Sequence, residues 1–116
     1  MKIKFKIFGP RVHNVGYRPF LIALADEFGI SKFEVYNSIL EGKQVVIAKT
    51  ESEEDQFQAF VDAMQSRKPK KAEVSDIKYE PFEGMVHSIM RTSMMSMTTQ
   101  LAQGIDAIES TNEKMD

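Results

Sequence analysis

The chain has no cysteine among its 116 residues. That excludes disulfides, thiolate catalysis and metal sites built on cysteine. No apolar run approaches the roughly 20 residues of a membrane span. The first residues, Met1-Lys2-Ile3-Lys4-Phe5-Lys6-Ile7, alternate charged and apolar positions and lack the apolar block of a signal peptide. There is no excess of positive charge either: the formal net charge is −2. Nothing in the overall balance therefore favours a nucleic-acid partner. The expectation is a cytoplasmic protein with no membrane or nucleic-acid partner. What the chain does have is an ordinary 42% of hydrophobic residues. At this length that suits one domain with a real core.

Hydrophobic periodicity places the elements. Ile3, Phe5 and Ile7 share one face of a strand over 2–8, with Lys2, Lys4 and Lys6 on the other. A helix is expected over 18–28, with Pro19 in its first turn, where a missing N–H does no harm. Phe20, Leu21, Leu24, Ala25 and Phe28 form its buried stripe, and Gly29 stops it. Strands follow over 33–37 and 43–49, joined by Ser38-Ile39-Leu40-Glu41-Gly42 as a hairpin loop in which Gly42 is free to take positive φ. Ser52 is expected to cap a second helix over 53–66, whose first turn holds Glu53, Glu54 and Asp55. Phe57, Phe60, Val61 and Met64 are its core face. Arg67, Lys68, Lys70 and Lys71 read as a solvated helix end and linker rather than a nucleic-acid patch.

A fourth strand over 73–80 (Val74, Ile77, Tyr79) carries a one-residue break in alternation that reads as a bulge, and Pro81 and Gly84 end it. The order strand, helix, strand, strand, helix, strand is the split βαβ, or ferredoxin-like, arrangement. This is an α+β fold with an antiparallel sheet and both helices on one face.

From Met85 the composition changes. Five of the eight methionines lie between residues 85 and 97. Val86, Ile89, Met90, Met94, Met97, Leu101, Ile105 and Ile108 recur every three or four residues, the stripe of a C-terminal helix of about six turns. The chain thus divides into a domain over 1–84, a helical extension over 85–110 and a polar tail over 111–116. Three arrangements stay open for the extension: packing on its own subunit, a homo-oligomer or partner contact through adaptable methionines, or a loose chain. His87 reads as a solvent-facing residue of this helix.

One stretch carries chemistry: Gly9-Pro10-Arg11-Val12-His13-Asn14-Val15-Gly16-Tyr17-Arg18, where the first strand feeds a loop that opens onto a helix N-terminus. Backbone N–H groups there have no partners within the helix, and the helix dipole favours negative charge. An arginine in the first turn adds a planar, permanently charged fork suited to phosphate or carboxylate. The loop reads as an anion site.

Val12-His13-Asn14-Val15-Gly16-Tyr17-Arg18 resembles the acylphosphatase signature Gly-x-Val-Gln-Gly-Val-x-aromatic-Arg. Val35-Tyr36-Asn37, followed by Gly42-Lys43-Gln44-Val45, is similar to the second signature of that family, in which an asparagine ends the second strand. The resemblance covers roughly residues 2–83. It implies hydrolysis of an acyl phosphate to a carboxylate and inorganic phosphate, with no cofactor, no metal and no covalent intermediate. It also implies that Arg18 and the backbone N–H groups of Arg11, Val12, His13, Asn14 and Val15 form the phosphate-binding loop. Asn37 would then place the attacking water.

The chain departs from the pattern at three places: Pro10 for the first Gly of the loop, His13 for Gln and Asn14 for the second Gly. Pro10 removes one donor. Asn14 tolerates a left-handed backbone better than most residues, and His13 is able to bond across the loop as Gln does, or to add charge when protonated. Two alternatives stand beside the hydrolase: a non-catalytic anion-binding or assembly domain that uses the C-terminal helix, and a module serving a larger enzyme, as such domains do in hydrogenase maturation proteins.

Overall fold

The computed structural model of the chain describes residues 1–96. Six elements follow in the expected order: β1 (Lys2–Phe8), α1 (Tyr17–Glu27), β2 (Lys32–Leu40), β3 (Lys43–Glu51), α2 (Glu54–Ser66) and β4 (Asp76–Pro81). The four strands form one sheet in the order β2-β3-β1-β4, and every neighbouring pair is antiparallel. Each βαβ unit thus skips a strand, which the other unit supplies. This is the ferredoxin-like fold.

The core lies between the sheet and the helices. Phe5 and Ile7 of β1, Phe33 and Val35 of β2, and Val46 and Ala48 of β3 meet Leu21 and Leu24 of α1 and Phe60 and Met64 of α2. Phe60 is fully buried and brings its ring against Phe5 and Phe33, with centroids 6.0 and 5.7 Å apart. Tilted aromatic contacts of this kind add to the burial of apolar area.

Several boundaries differ from the expected ones, each for a local reason. The β2–β3 hairpin is tighter than a five-residue loop. Pairing continues through Ile39↔Gln44 and Leu40↔Lys43, leaving only Glu41 and Gly42 in the turn. Both have positive φ, 54° and 77°, as a two-residue turn matched to the twist of its strands requires. The cap of α2 is Glu53 rather than Ser52. Glu53 and Gln56 form a reciprocal capping box, and the Gln56 amide also donates to the carbonyls of Phe28 and Gly29, tying the two helices together. Ser52 instead gives its N–H to the Met1 carbonyl, and its Oγ is buried without a hydrogen-bond partner among the described residues.

The fourth strand begins at Asp76, not residue 73. Glu73 pairs with Arg11 as an isolated bridge, and Ser75 donates its N–H to the Phe8 carbonyl, so residues 73–75 follow β1 outward before regular pairing starts.

Residues 85–96 lie along the edge of β2. Val86 is buried, the Phe33 N–H donates to the His87 carbonyl, and the Ile89 N–H donates to the Ser31 carbonyl. His87 is therefore not on a helix facing solvent. It precedes one, its N–H donating to the Glu34 carboxylate at 2.7 Å with its ring 3.6 Å from the same group. Residues 89–96, here α3, are helical, and Thr92 is buried with its hydroxyl donating to the Phe33 carbonyl. Met90 and Met94 stand 72% and 63% exposed. The rest of the expected stripe, from Met97 through Ile108, and the 111–116 tail lie outside the described residues. No helix among the described residues is long and apolar enough to cross a membrane.

Candidate active site

The site is built where β1 hands the chain to α1. Gly9 must be glycine: a Cβ there would lie 1.9 Å from the Glu73 carbonyl oxygen. Pro10 and Arg11 turn outward, and the Arg11 carbonyl accepts the Glu73 N–H at 2.8 Å. Val12 then plunges into the core at 1% exposure and anchors the loop.

The next residues are held from β3. The N–H groups of Val12 and His13 both donate to the side-chain oxygen of Gln44, each at 3.0 Å. The His13 ring reaches across to the Val45 carbonyl, with Nε2 at 2.9 Å. A carbonyl can only accept, so Nε2 carries the proton of that bond.

Asn14 takes a left-handed conformation, φ 58°, and Gly16 another, φ 85°. The asparagine thus supplies the turn for which glycine is the usual residue. These two reversals deliver the chain to α1 with Gly16 as its N-cap and no side-chain cap. The first helical hydrogen bond is Phe20 N–H to the Gly16 carbonyl, 3.1 Å. The N–H groups of Asn14, Val15, Gly16, Tyr17 and Arg18 donate to no protein acceptor among the described residues. Pro19 has no N–H to leave unpaired.

Arg18, the second residue of α1, is half-buried, and no carboxylate among the described residues forms an ion pair with it. Asn37 lies on β2 opposite Val46, two positions from Val35 and four from Phe33, hence on the sheet face that the helices cover. Arg18 and Asn37 line one open cleft of about 230 Å³ together with Val12, Asn14, Gly16, Tyr17 and Pro19. Tyr17 is buried, and burial pushes its phenol above the ordinary 10.0, so it stays neutral beside the cleft. On its other side Arg18 borders a hollow of about 150 Å³ with Glu34, Tyr36, His87, Thr92, Met95 and Ser96. The Glu34 carboxylate there holds the His87 N–H and lies 3.9 Å from the Lys49 ammonium.

Of the residues picked out in sequence, Arg18, Asn37, Val12 and Asn14 meet at the cleft. Arg11 points its backbone to Glu73, His13 turns to β3, and Val15 is half-buried outside the lining. Gln44 was missed as a partner of the loop. It lies 32 residues from Val12, in a strand that periodicity places but whose position beneath the loop is set only by the assembled sheet.

Among the described residues the arrangement offers one guanidinium without an ion-pair partner, a short arc of N–H groups without an acceptor at a helix N-terminus, and one amide, all suited to a tetrahedral anion. The Acylphosphatase family model matches residues 3–93. Among solved structures, the acylphosphatase from Bacillus subtilis is similar at 26% identity and TM-score 0.55, over 76% of this chain and 94% of that one. Full-length HypF, crystallised in a phosphate- and nucleotide-bound form, is similar at 25% identity and TM-score 0.59 over 72% of this chain. HypF from T. kodakarensis is similar at 25% identity and TM-score 0.58 over 77% of this chain. The chain spans only about a tenth of either HypF, 10% and 11%. No curated protein matches. With a family match over most of its length and the fold to go with it, this chain belongs to the acylphosphatase family.

Proposed function

We propose that the protein hydrolyses acyl phosphates to a carboxylate and inorganic phosphate without a metal. The observation that carries this reading is the pairing, in one cleft, of an arginine and loop N–H groups that have no protein partner among the described residues with the amide of Asn37. In the proposed reaction the phosphoryl oxygens take the Arg18 fork and the loop N–H groups. Asn37 accepts a hydrogen bond from the attacking water and fixes its direction. Water oxygen bonds to phosphorus as the P–O bond to the acyl group breaks. The bond's electron pair leaves with the carboxylate, and the proton released from water passes to phosphate. A carboxylate with a conjugate acid near pKa 4 departs without a general acid, so positioning and charge neutralisation suffice.

Benzoyl phosphate is the test substrate. Turnover should survive a chelator, vanish in Arg18→Ala, and fall by about 100- to 1,000-fold in Asn37→Ala, the usual cost of removing one positioned polar group. Arg18→Lys should recover little, because an ammonium cannot reproduce the planar fork. Wild-type protein with no turnover above the uncatalysed background overturns the reading. That result would favour a second one, a non-catalytic anion-binding domain, which is motivated by Pro10 having no donor and Gln44 occupying two others.

A further inference from the structure

We infer that Gln44 is a positioning residue that divides the loop into a held half and a binding half. The inference rests on the acyl-phosphate reading of the cleft. Two N–H groups converge on one Gln44 oxygen, at 3.0 Å each, in the way they would converge on a phosphoryl oxygen. Yet Gln44 does not line the cleft where Asn14, Gly16, Arg18 and Asn37 meet. It sits two positions from Val46, the strand partner of Asn37, on the same face of the sheet and behind the loop. The N–H groups of Val12 and His13 are therefore turned toward β3 and away from the open space. The His13 ring, bonded to the Val45 carbonyl, is a second tie on the same side.

The consequence is a division of labour. An amide oxygen has two lone pairs and satisfies both donors at once, so the held half has no donor left for an anion. The N–H groups from Asn14 to Arg18 remain as donors, with no protein acceptor among the described residues. By fixing residues 12–13, Gln44 sets where the left-handed turn at Asn14 begins and so aims the binding half. In this chain the phosphoryl group is held by residues 14–18 rather than 11–15.

The test is a titration of the full chain with inorganic phosphate, followed through the backbone amide resonances, in wild type, Gln44→Leu and Gln44→Glu. Phosphate should shift the amides of Asn14, Val15, Gly16, Tyr17 and Arg18 and leave those of Val12 and His13 in place. Gln44→Leu removes the acceptor and should weaken phosphate binding about tenfold, as expected when two partly buried donors lose their partner. It should also expose the Val12 and His13 amides to exchange. For benzoyl phosphate it should raise KM about tenfold while kcat changes less than threefold. Gln44→Glu keeps an acceptor oxygen and should restore both the exchange protection and the shift pattern. Any rise it causes in KM should be erased by salt, because it comes from added charge alone. Thermal melts identify a variant that fails to fold, and in that case the wild-type and Gln44→Glu patterns decide.

Phosphate shifts centred on Val12 and His13, or tighter phosphate binding by Gln44→Leu, would make Gln44 a competitor and overturn the inference while leaving the anion site intact. Unchanged affinity and KM in a folded Gln44→Leu overturns it in the same way. A wild-type protein in which phosphate moves none of these amides overturns the proposed function along with it.

Discussion

At the scale of single residues, two backbone positions decide whether the loop exists. Gly9 approaches Glu73 so closely that a methyl group would meet backbone rather than a movable side chain. Gly9→Ala should therefore force β1 and residues 73–75 apart and cost about 2–4 kcal/mol, the range of severe local strain and lost packing. A thermal melt reads this directly. Asn14 is different in kind: its φ of 58° is uncommon but open to asparagine. Asn14→Gly should keep both stability and turnover, whereas Asn14→Val should lose about 1–2 kcal/mol, the per-residue penalty of the left-handed conformation. That Asn14 could replace a glycine was legible from its chemistry. That Gly9 was indispensable was not, because the atom it must avoid belongs to residue 73.

At the scale of elements, the segment after β4 closes the edge of β2. Hydrogen bonds from Phe33 to His87 and from Ile89 to Ser31 occupy backbone groups that an edge strand would otherwise present to other chains. Thr92 adds a buried bond to the Phe33 carbonyl. Thr92→Val keeps the shape but removes that donor, and should cost about 1–2 kcal/mol by denaturant unfolding. Truncation after Gly84 removes the whole cover. The truncated protein should melt lower and aggregate, as light scattering would detect. Periodicity found helical character in this segment but assigned His87 to a helix it only precedes, since the pull of Glu34 on its N–H comes from β2. The hairpin was misjudged for a related reason. Ser38, Ile39 and Leu40 look like a loop by composition, and only pairing to Val45, Gln44 and Lys43 keeps them extended.

At the scale of the whole molecule, two tyrosines couple stability to alkaline pH. Burial raises the phenol of Tyr17 above 10.0, and burial likewise raises Tyr79, opposed in part by a hydrogen bond with the Gln65 side chain. In the unfolded chain these groups lose their protons near 10, before the folded ones do. Over that window the unfolded state binds fewer protons, so stability falls as pH rises. Denaturation midpoints should therefore be insensitive to these two groups below about pH 9 and should decline above about pH 10. Tyr17→Phe should flatten that decline. An unchanged slope in Tyr17→Phe would place the alkaline sensitivity elsewhere.

The sequence by itself determined the element order, the helix faces and the antiparallel sheet, because these follow from local periodicity and from residues a few positions apart. It also determined that a strand-to-helix loop would open onto Arg18, since both signals sit within ten consecutive residues. Tertiary structure alone decided what that loop has left to offer. Gln44, more than 30 residues away, takes two of its donors. Glu73 dictates the glycine at its start. Asn37, from the edge strand, completes its cleft. Hydrogen bonds and close contacts between distant segments depend on strand register, and register is fixed only when the sheet assembles.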